Sequence, residues 1–88
     1  MAQTRSEVEQ AIHAKIVALA RILGNDARGL KTDQLIPQTG WLDSASLMEL
    51  MLWFENEYDL EIPQEDLNLD NFGTIAAMTG YLGRAGKL

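Results

Sequence analysis

The segment Asp43-Ser44-Ala45-Ser46 stands immediately before the most apolar stretch of the chain, and three of its four side chains carry oxygen. A helix begins with backbone N–H groups that have no intrahelical partner, and Asp and Ser oxygens are the usual acceptors for them. Asp43 and Ser44 each fit as a single cap, and Ser46 with Glu49 fits the spacing of a capping box. The segment therefore holds more capping groups than one helix uses, and one hydroxyl is spare. A serine at the exposed start of a helix lies beside free N–H groups and the positive end of the dipole, a ready seat for a phosphate carried on its own oxygen. Ser44 is the candidate.

Chemistry inside the chain itself has little support. There is no cysteine, and the only histidine, His13, falls in the middle of the first helical segment, where it reads as a half-exposed helix residue. No elbow motif or spacing joins it to a serine and a carboxylate as a nucleophilic triad. Asp66, Asn68 and Asp70 alternate as in a calcium loop, but Asn71 stands where the turn needs Gly and Ala77 where the loop needs a bidentate Glu. No catalytic residue and no metal site are expected. Because an ordinary serine hydroxyl is a poor nucleophile until a base removes its proton, any reaction at Ser44 needs a base from outside the chain.

Three main helices must position this segment. Val8, Ile12, Ile16, Leu19 and Leu23 step by three and four, with Ser6 and Glu9 as a capping box and Gly24-Asn25 as the stop, so the first helix spans Ser6 to Leu23. From Asn25 to Leu42 the periodicity is lost, and a long connection is expected, with a turn at Thr32 to Leu35 and with Leu30, Leu35, Ile36 and Leu42 pinning it to the core. The second helix runs from about Ser44 to Tyr58 and closes ahead of Pro63. The stretch beginning at Pro63 fits one brief helical turn, residues 66 to 73 a loop with capping residues, and Ile75, Met78 and Leu82 one face of a last helix capped by Thr74. The expected fold is all-α, a small four-helix bundle of three main helices plus one short helix, in a single domain over residues 1–88.

Charge narrows the partners. The net charge is −6, and ten Asp and Glu residues with no Lys or Arg lie between Thr32 and Gly83. Nucleic acid is an unsuitable partner for such a surface, which steers encounters with basic patches on proteins instead. The amino-terminal segment mixes acids and bases, so neither a signal peptide nor a membrane span is expected. Absence of cysteine fits a reducing, cytoplasmic setting.

The second helix has more apolar residues than a core can take. Leu47, Leu50, Met51, Phe54 and Tyr58 make the core stripe, whereas Ala45, Met48 and Leu52 form a second line, with Trp41 upstream and Trp53 adjoining. Part of that line is expected to face solvent as a docking surface.

With these residues in place, "GWLDSASLMELMLWFENEYDLEIP" resembles the acyl and peptidyl carrier proteins, whose mark is an Asp-Ser dipeptide ahead of an acidic, apolar helix. The likeness extends over nearly the whole chain to "DNFGTIAAMTGYL". It implies a covalent 4′-phosphopantetheine on Ser44, with Asp43 helping to position its transfer from coenzyme A by a phosphopantetheinyl transferase. It also implies Trp41, Leu42, Ala45, Met48, Glu49 and Leu52 as the partner-facing residues. Further implied partners are an adenylating amino acid or acyl ligase and a downstream acyltransferase, and the carrier is expected to be a monomer and not itself an enzyme. The arm's terminal thiol holds cargo as a thioester, which explains how a cysteine-free chain does thioester work. Ala45 replaces the Leu common after Asp-Ser, and "GWLDS" is closest in look to discrete aminoacyl or D-alanyl carriers, so the cargo expected is an amino acid or short acyl group. A chain of 88 residues that begins with Met fits a separate carrier better than a piece of a larger synthase. The competing reading is a non-enzymatic acidic helical interaction module that bears no arm.

Overall fold

The first helix starts one half-turn earlier than its most obvious capping box. In the structure, a computed structural model that describes residues 3–88, α1 spans Arg5–Ile22 and is capped by Thr4. Thr4 Oγ1 accepts from the Glu7 amide at 3.1 Å, and the Glu7 carboxylate accepts from the Thr4 amide at 2.9 Å. The expected box of Ser6 and Glu9 has the same spacing but lies inside the helix, where the Ser6 hydroxyl accepts from the Gln10 amide group. The upstream box prevails because it adds a further backbone bond, from the Val8 N–H to the Thr4 carbonyl. At the other end Gly24 is left-handed (φ 82°), and the Asn25 N–H reaches back to the Ala20 carbonyl at 2.8 Å, closing a Schellman turn. Leu23, expected to continue the core stripe, lies beyond the last helical residue and is 41 % exposed.

Helix α2 covers Ser44–Glu57, the four-residue α3 covers Leu69–Phe72, and α4 covers Ile75–Arg84. Two single 3₁₀ turns, Pro37–Thr39 and Gln64–Asp66, punctuate the connections. The described residues contain no strand, and the fold is an all-α bundle of three main helices plus one short helix. Thr74 caps α4 as expected, its hydroxyl accepting from the Ala77 amide. Helix α3 is the element the sequence conceals: its cap Asn68 is recognisable, but four residues are too few to show a period. Helix α2 stops not because of Pro63 but because Asp59 turns left-handed (φ 52°) and lets the Leu60 N–H bond the Glu55 carbonyl.

One apolar cluster holds the bundle. Val8, Ile12, Ile16 and Leu19 of α1 meet Leu50 and Phe54 of α2 and Ile75, Met78 and Leu82 of α4, and the long connection adds Ala27, Leu30, Ile36 and Leu42. Phe54 is its centre, fully buried and edge-on to both Tyr58 and Phe72 with ring centroids 5.3 and 5.9 Å apart. The connection is sewn down by main-chain bonds as well, from the Ile36 N–H to the Gly73 carbonyl and from the Ala76 N–H to the Thr32 carbonyl. Among the described residues no helix is long and apolar enough to cross a membrane.

Candidate functional site

Asp43 takes the capping role at the start of α2. Its backbone is extended (φ −92°, ψ 179°), and its Oδ1 accepts the Ser46 N–H at 2.8 Å. That bond to the amide is the chief reason the Asp43 carboxyl lies below the usual carboxylate range. Ser46, the other serine of the segment, is 8 % exposed and turned into the protein, so no capping box forms with the exposed Glu49. Ser44 is the first helical residue and is exposed, and among the described residues its hydroxyl enters no hydrogen bond. Of three candidate caps, one caps, one is buried and one is free.

Helical geometry places Ser44 on a border. At about 100° per residue, Leu47 and Met51 fall to one side of its line down α2, and Ala45, Met48 and Leu52 to the other. The first side opens on an apolar groove of about 310 Å³, lined by Pro37, Leu47, Leu50, Met51, Leu67, Leu69 and Phe72, with Asn68 at its edge. Leu47 and Met51, expected to be core, are half-buried because they wall this groove. The second side is open: Met48 is 64 % and Leu52 54 % exposed, and Ala45 and Glu49 are exposed with them. Trp41 is half-buried against the core. Leu42 departs from the partner-facing set, since it is only 6 % exposed and belongs to the core cluster. Its side chain serves the second role expected of it, pinning the connection. Trp53 is half-buried, its ring edge-on to Tyr58.

His13 takes no part here. Its Nε2 is buried without a partner in a hollow lined by Ser6, Glu9, Gln10, Leu30, Thr32 and Ile75, none of them from α2. No group of three or more His, Cys, Asp or Glu side chains suited to a metal ion occurs among the described residues.

Residues 16–82 match the family described as "Phosphopantetheine attachment site". The chain belongs to that family. It is a carrier protein whose cofactor is covalently attached 4′-phosphopantetheine, and the residues present fit such a group: a free, exposed hydroxyl at a helix start, with the cap supplied by its neighbour. The chain is 33 % identical over 78 residues to an acyl carrier protein of Bdellovibrio bacteriovorus, covering 88 % of this chain and 97 % of that one. It is 27 % identical over 84 residues to an acyl carrier protein of Chlorobium phaeovibrioides, covering 90 % and 95 %. No solved structure matches the chain.

Local sequence explains why the Ser44 hydroxyl is left exposed and unbonded. Asp at the cap position satisfies the helix, which releases the following serine from that duty. Thr39 and Asn25 fix the approach to it: the Thr39 hydroxyl accepts from the Trp41 N–H at 3.1 Å, and the Asn25 amide group donates to the Trp41 carbonyl at 3.0 Å. The Asn25 contact, sixteen residues distant in sequence, has no signature in periodicity or composition.

Proposed function

We propose that Ser44 bears the 4′-phosphopantetheine arm and that the chain presents an amino acid or short acyl group on it to partner enzymes. The observation that carries this reading is the division of labour between Asp43, which caps, and Ser44, whose hydroxyl is exposed and unbonded. When attached, the arm supplies a terminal thiol for thioester linkage of the cargo. The chain's own contribution is to hold the hydroxyl at the positive end of the α2 dipole, where the phosphate that links the arm is favoured. Proton removal from Ser44 falls to a phosphopantetheinyl transferase. An adenylating ligase then loads the cargo and a downstream acyltransferase takes it, in the cytoplasm, with the carrier acting as a monomer of one domain.

Met48, Leu52, Ala45 and Glu49, with Trp41 at their upstream end, form the face on which partners dock. The groove beside Leu47 and Met51 suits the aliphatic part of a cargo, because each apolar Å² removed from water contributes about 25 cal/mol. A free ammonium would gain least there, as no carboxylate stands in that lining to pair with it. Short acyl chains therefore have more to gain from it than amino acids.

Intact mass measurement after incubation with coenzyme A and a transferase tests the reading. Wild-type protein and Ser46→Ala gain one phosphopantetheine, and Ser44→Ala gains none. Equal gain on Ser44→Ala would place the arm on another residue, and no gain on the wild type would leave only the arm-free interaction module. A panel of amino and carboxylic acids offered with candidate ligases then decides the cargo class.

A further inference from the structure

The groove beside Leu47 and Met51 has one wall that only two hydrogen bonds tie to another helix. Residues 64 to 72, from the second 3₁₀ turn through α3, supply Leu67, Asn68, Leu69 and Phe72 to its lining. Within this segment the bonds are dense. The Asn68 side-chain oxygen accepts from the Asn71 N–H at 2.9 Å, the Asn71 side-chain amide donates to the Asp66 carbonyl at 2.9 Å, and the Leu67 N–H reaches the Gln64 carbonyl. Apart from bonds to the flanking Pro63 and Gly73, only two leave it among the described residues, and both go to α4. Tyr81 donates its hydroxyl to Asp66 Oδ2 at 2.8 Å, and Arg84 donates to Asn71 Oδ1 at 3.0 Å.

Both bonds lie behind the wall and not in the groove. Asp66, Asn71, Tyr81 and Arg84 line a separate hollow with Ala85, which shares no residue with the groove. Leu67 and Leu69, the wall's aliphatic side chains, are exposed, so packing from outside does not hold it shut. Phe72, packed on the core, is its apolar root. The groove itself begins beside Ser44: Leu47 is three residues further along α2, and side chains at that spacing are neighbours, about 5 to 6 Å between Cβ atoms. A chain tethered at Ser44 therefore starts within one helical turn of the groove.

We propose that the Tyr81–Asp66 and Arg84–Asn71 bonds act as a latch that sets the width of the groove, and so the length of acyl chain the carrier shelters. The inference rests on the assignment of the arm to Ser44 and on the groove as the seat of its cargo. A volume of about 310 Å³ has room for about ten groups the size of a water molecule, at about 30 Å³ each. An octanoyl chain fits that space with the latch closed, and a dodecanoyl chain does not. The longer chain enters fully only by pushing the wall outward, and one buried methylene is worth about as much as one such hydrogen bond. Breaking both bonds therefore offsets most of what the extra methylenes gain, and the closed latch favours the shorter cargo.

Carriers loaded from acyl-coenzyme A by a phosphopantetheinyl transferase, with loading verified by intact mass, test this through the rise in melting temperature over protein bearing the arm alone. On the wild type the octanoyl chain is expected to raise it by about 4 °C or more, and the dodecanoyl chain to add nothing further. In Tyr81→Phe, or in the milder Arg84→Gln at an exposed site, the dodecanoyl rise exceeds the octanoyl rise. The control Asp26→Asn, which breaks the pair with Arg28 away from the groove, keeps the wild-type order. An unchanged order in both latch variants overturns the latch alone, as does a reversed order in Asp26→Asn. No rise with either chain on the wild type, or an equal rise when equimolar octanoate is added to Ser44→Ala, gives the groove to another occupant and overturns the inference. Failure of the wild type to gain mass overturns the Ser44 assignment and the latch with it.

Discussion

The Oδ1 atom of Asp43 lies 2.8 Å from the backbone nitrogen of Ser46, and by that bond the Ser44 hydroxyl between them is relieved of capping. Removing the acceptor has a definite cost. Asp43→Ala should destabilise the fold by about 1 kcal/mol, the usual effect of losing an N-cap, whereas Asp43→Asn should stay near wild type. Thermal unfolding checks both, and equal losses in the two variants would assign Asp43 no capping role.

The same bond makes stability depend on acidity. The Asp43 carboxyl is held below its ordinary range by the Ser46 amide, and Asp26 is lowered to about 2, chiefly by its hydrogen bond with Arg28. Groups whose folded pKa is depressed contribute fully above their unfolded value and lose that contribution as pH falls through the folded one. Melting temperature should therefore drop from about pH 4 towards pH 2, since an unfolded Asp titrates near 3.9. Asp43→Asn should have a shallower slope in that window, and parallel curves would refute the assignment.

Phe54 and Met48 are six residues apart on α2 and should respond oppositely. Phe54→Ala opens a hole at the centre of the core and should cost about 3 to 5 kcal/mol, a large share of a typical stability of about 5 to 15. Met48→Glu, on the open face, should remain within about 0.5 kcal/mol in denaturant unfolding. A large loss at Met48 would place it in the interior.

Asp59 performs a turn normally given to glycine. Its φ of 52° is strained for a residue with a Cβ, although Asp tolerates it better than most. Asp59→Gly relieves that strain against the greater freedom of the unfolded chain. The balance should be a gain of up to about 1 kcal/mol, which in a domain of this size raises the melting temperature by a few degrees. A fall in melting temperature would mean that the left-handed turn is not what ends α2.

Tyr81 fastens the segment around α3 to α4. Its hydroxyl donates to Asp66 Oδ2 at 2.8 Å, its ring lies 4.8 Å from that of Phe72, and Arg84 above it donates to Asn71. Tyr81→Phe keeps the ring and deletes one bond, at a cost of about 1 kcal/mol. Hydrogen exchange should accelerate at Asp66 to Phe72 with little change in α1, and uniform acceleration would indicate only a global effect.

Much of this architecture could be read from residue order because the responsible forces are local. Stripes on α1, α2 and α4 repeat with helical period, and the surplus of capping oxygens at Asp43 to Ser46 is visible in four letters. Where two local solutions are equivalent, spacing does not decide. Thr4 with Glu7 and Ser6 with Glu9 are identical patterns, and only the structure shows the outer pair closing the helix. Long-range effects were hidden for a different reason. The groove depends on Leu67, Leu69 and Phe72 meeting Leu47 and Met51 across about twenty residues, and no window along the chain contains both sets. Leu42 fitted either side of the boundary between surface and core, and packing against the cluster resolved it.

Burial of Leu42 has a mechanical implication. Two residues ahead of Ser44 the backbone is nailed into the hydrophobic interior, and one residue further back it is clamped to Asn25. Anything suspended from the Ser44 oxygen consequently swings from a stationary pivot, so an enzyme that recognises the rigid body has already located the origin of the swing.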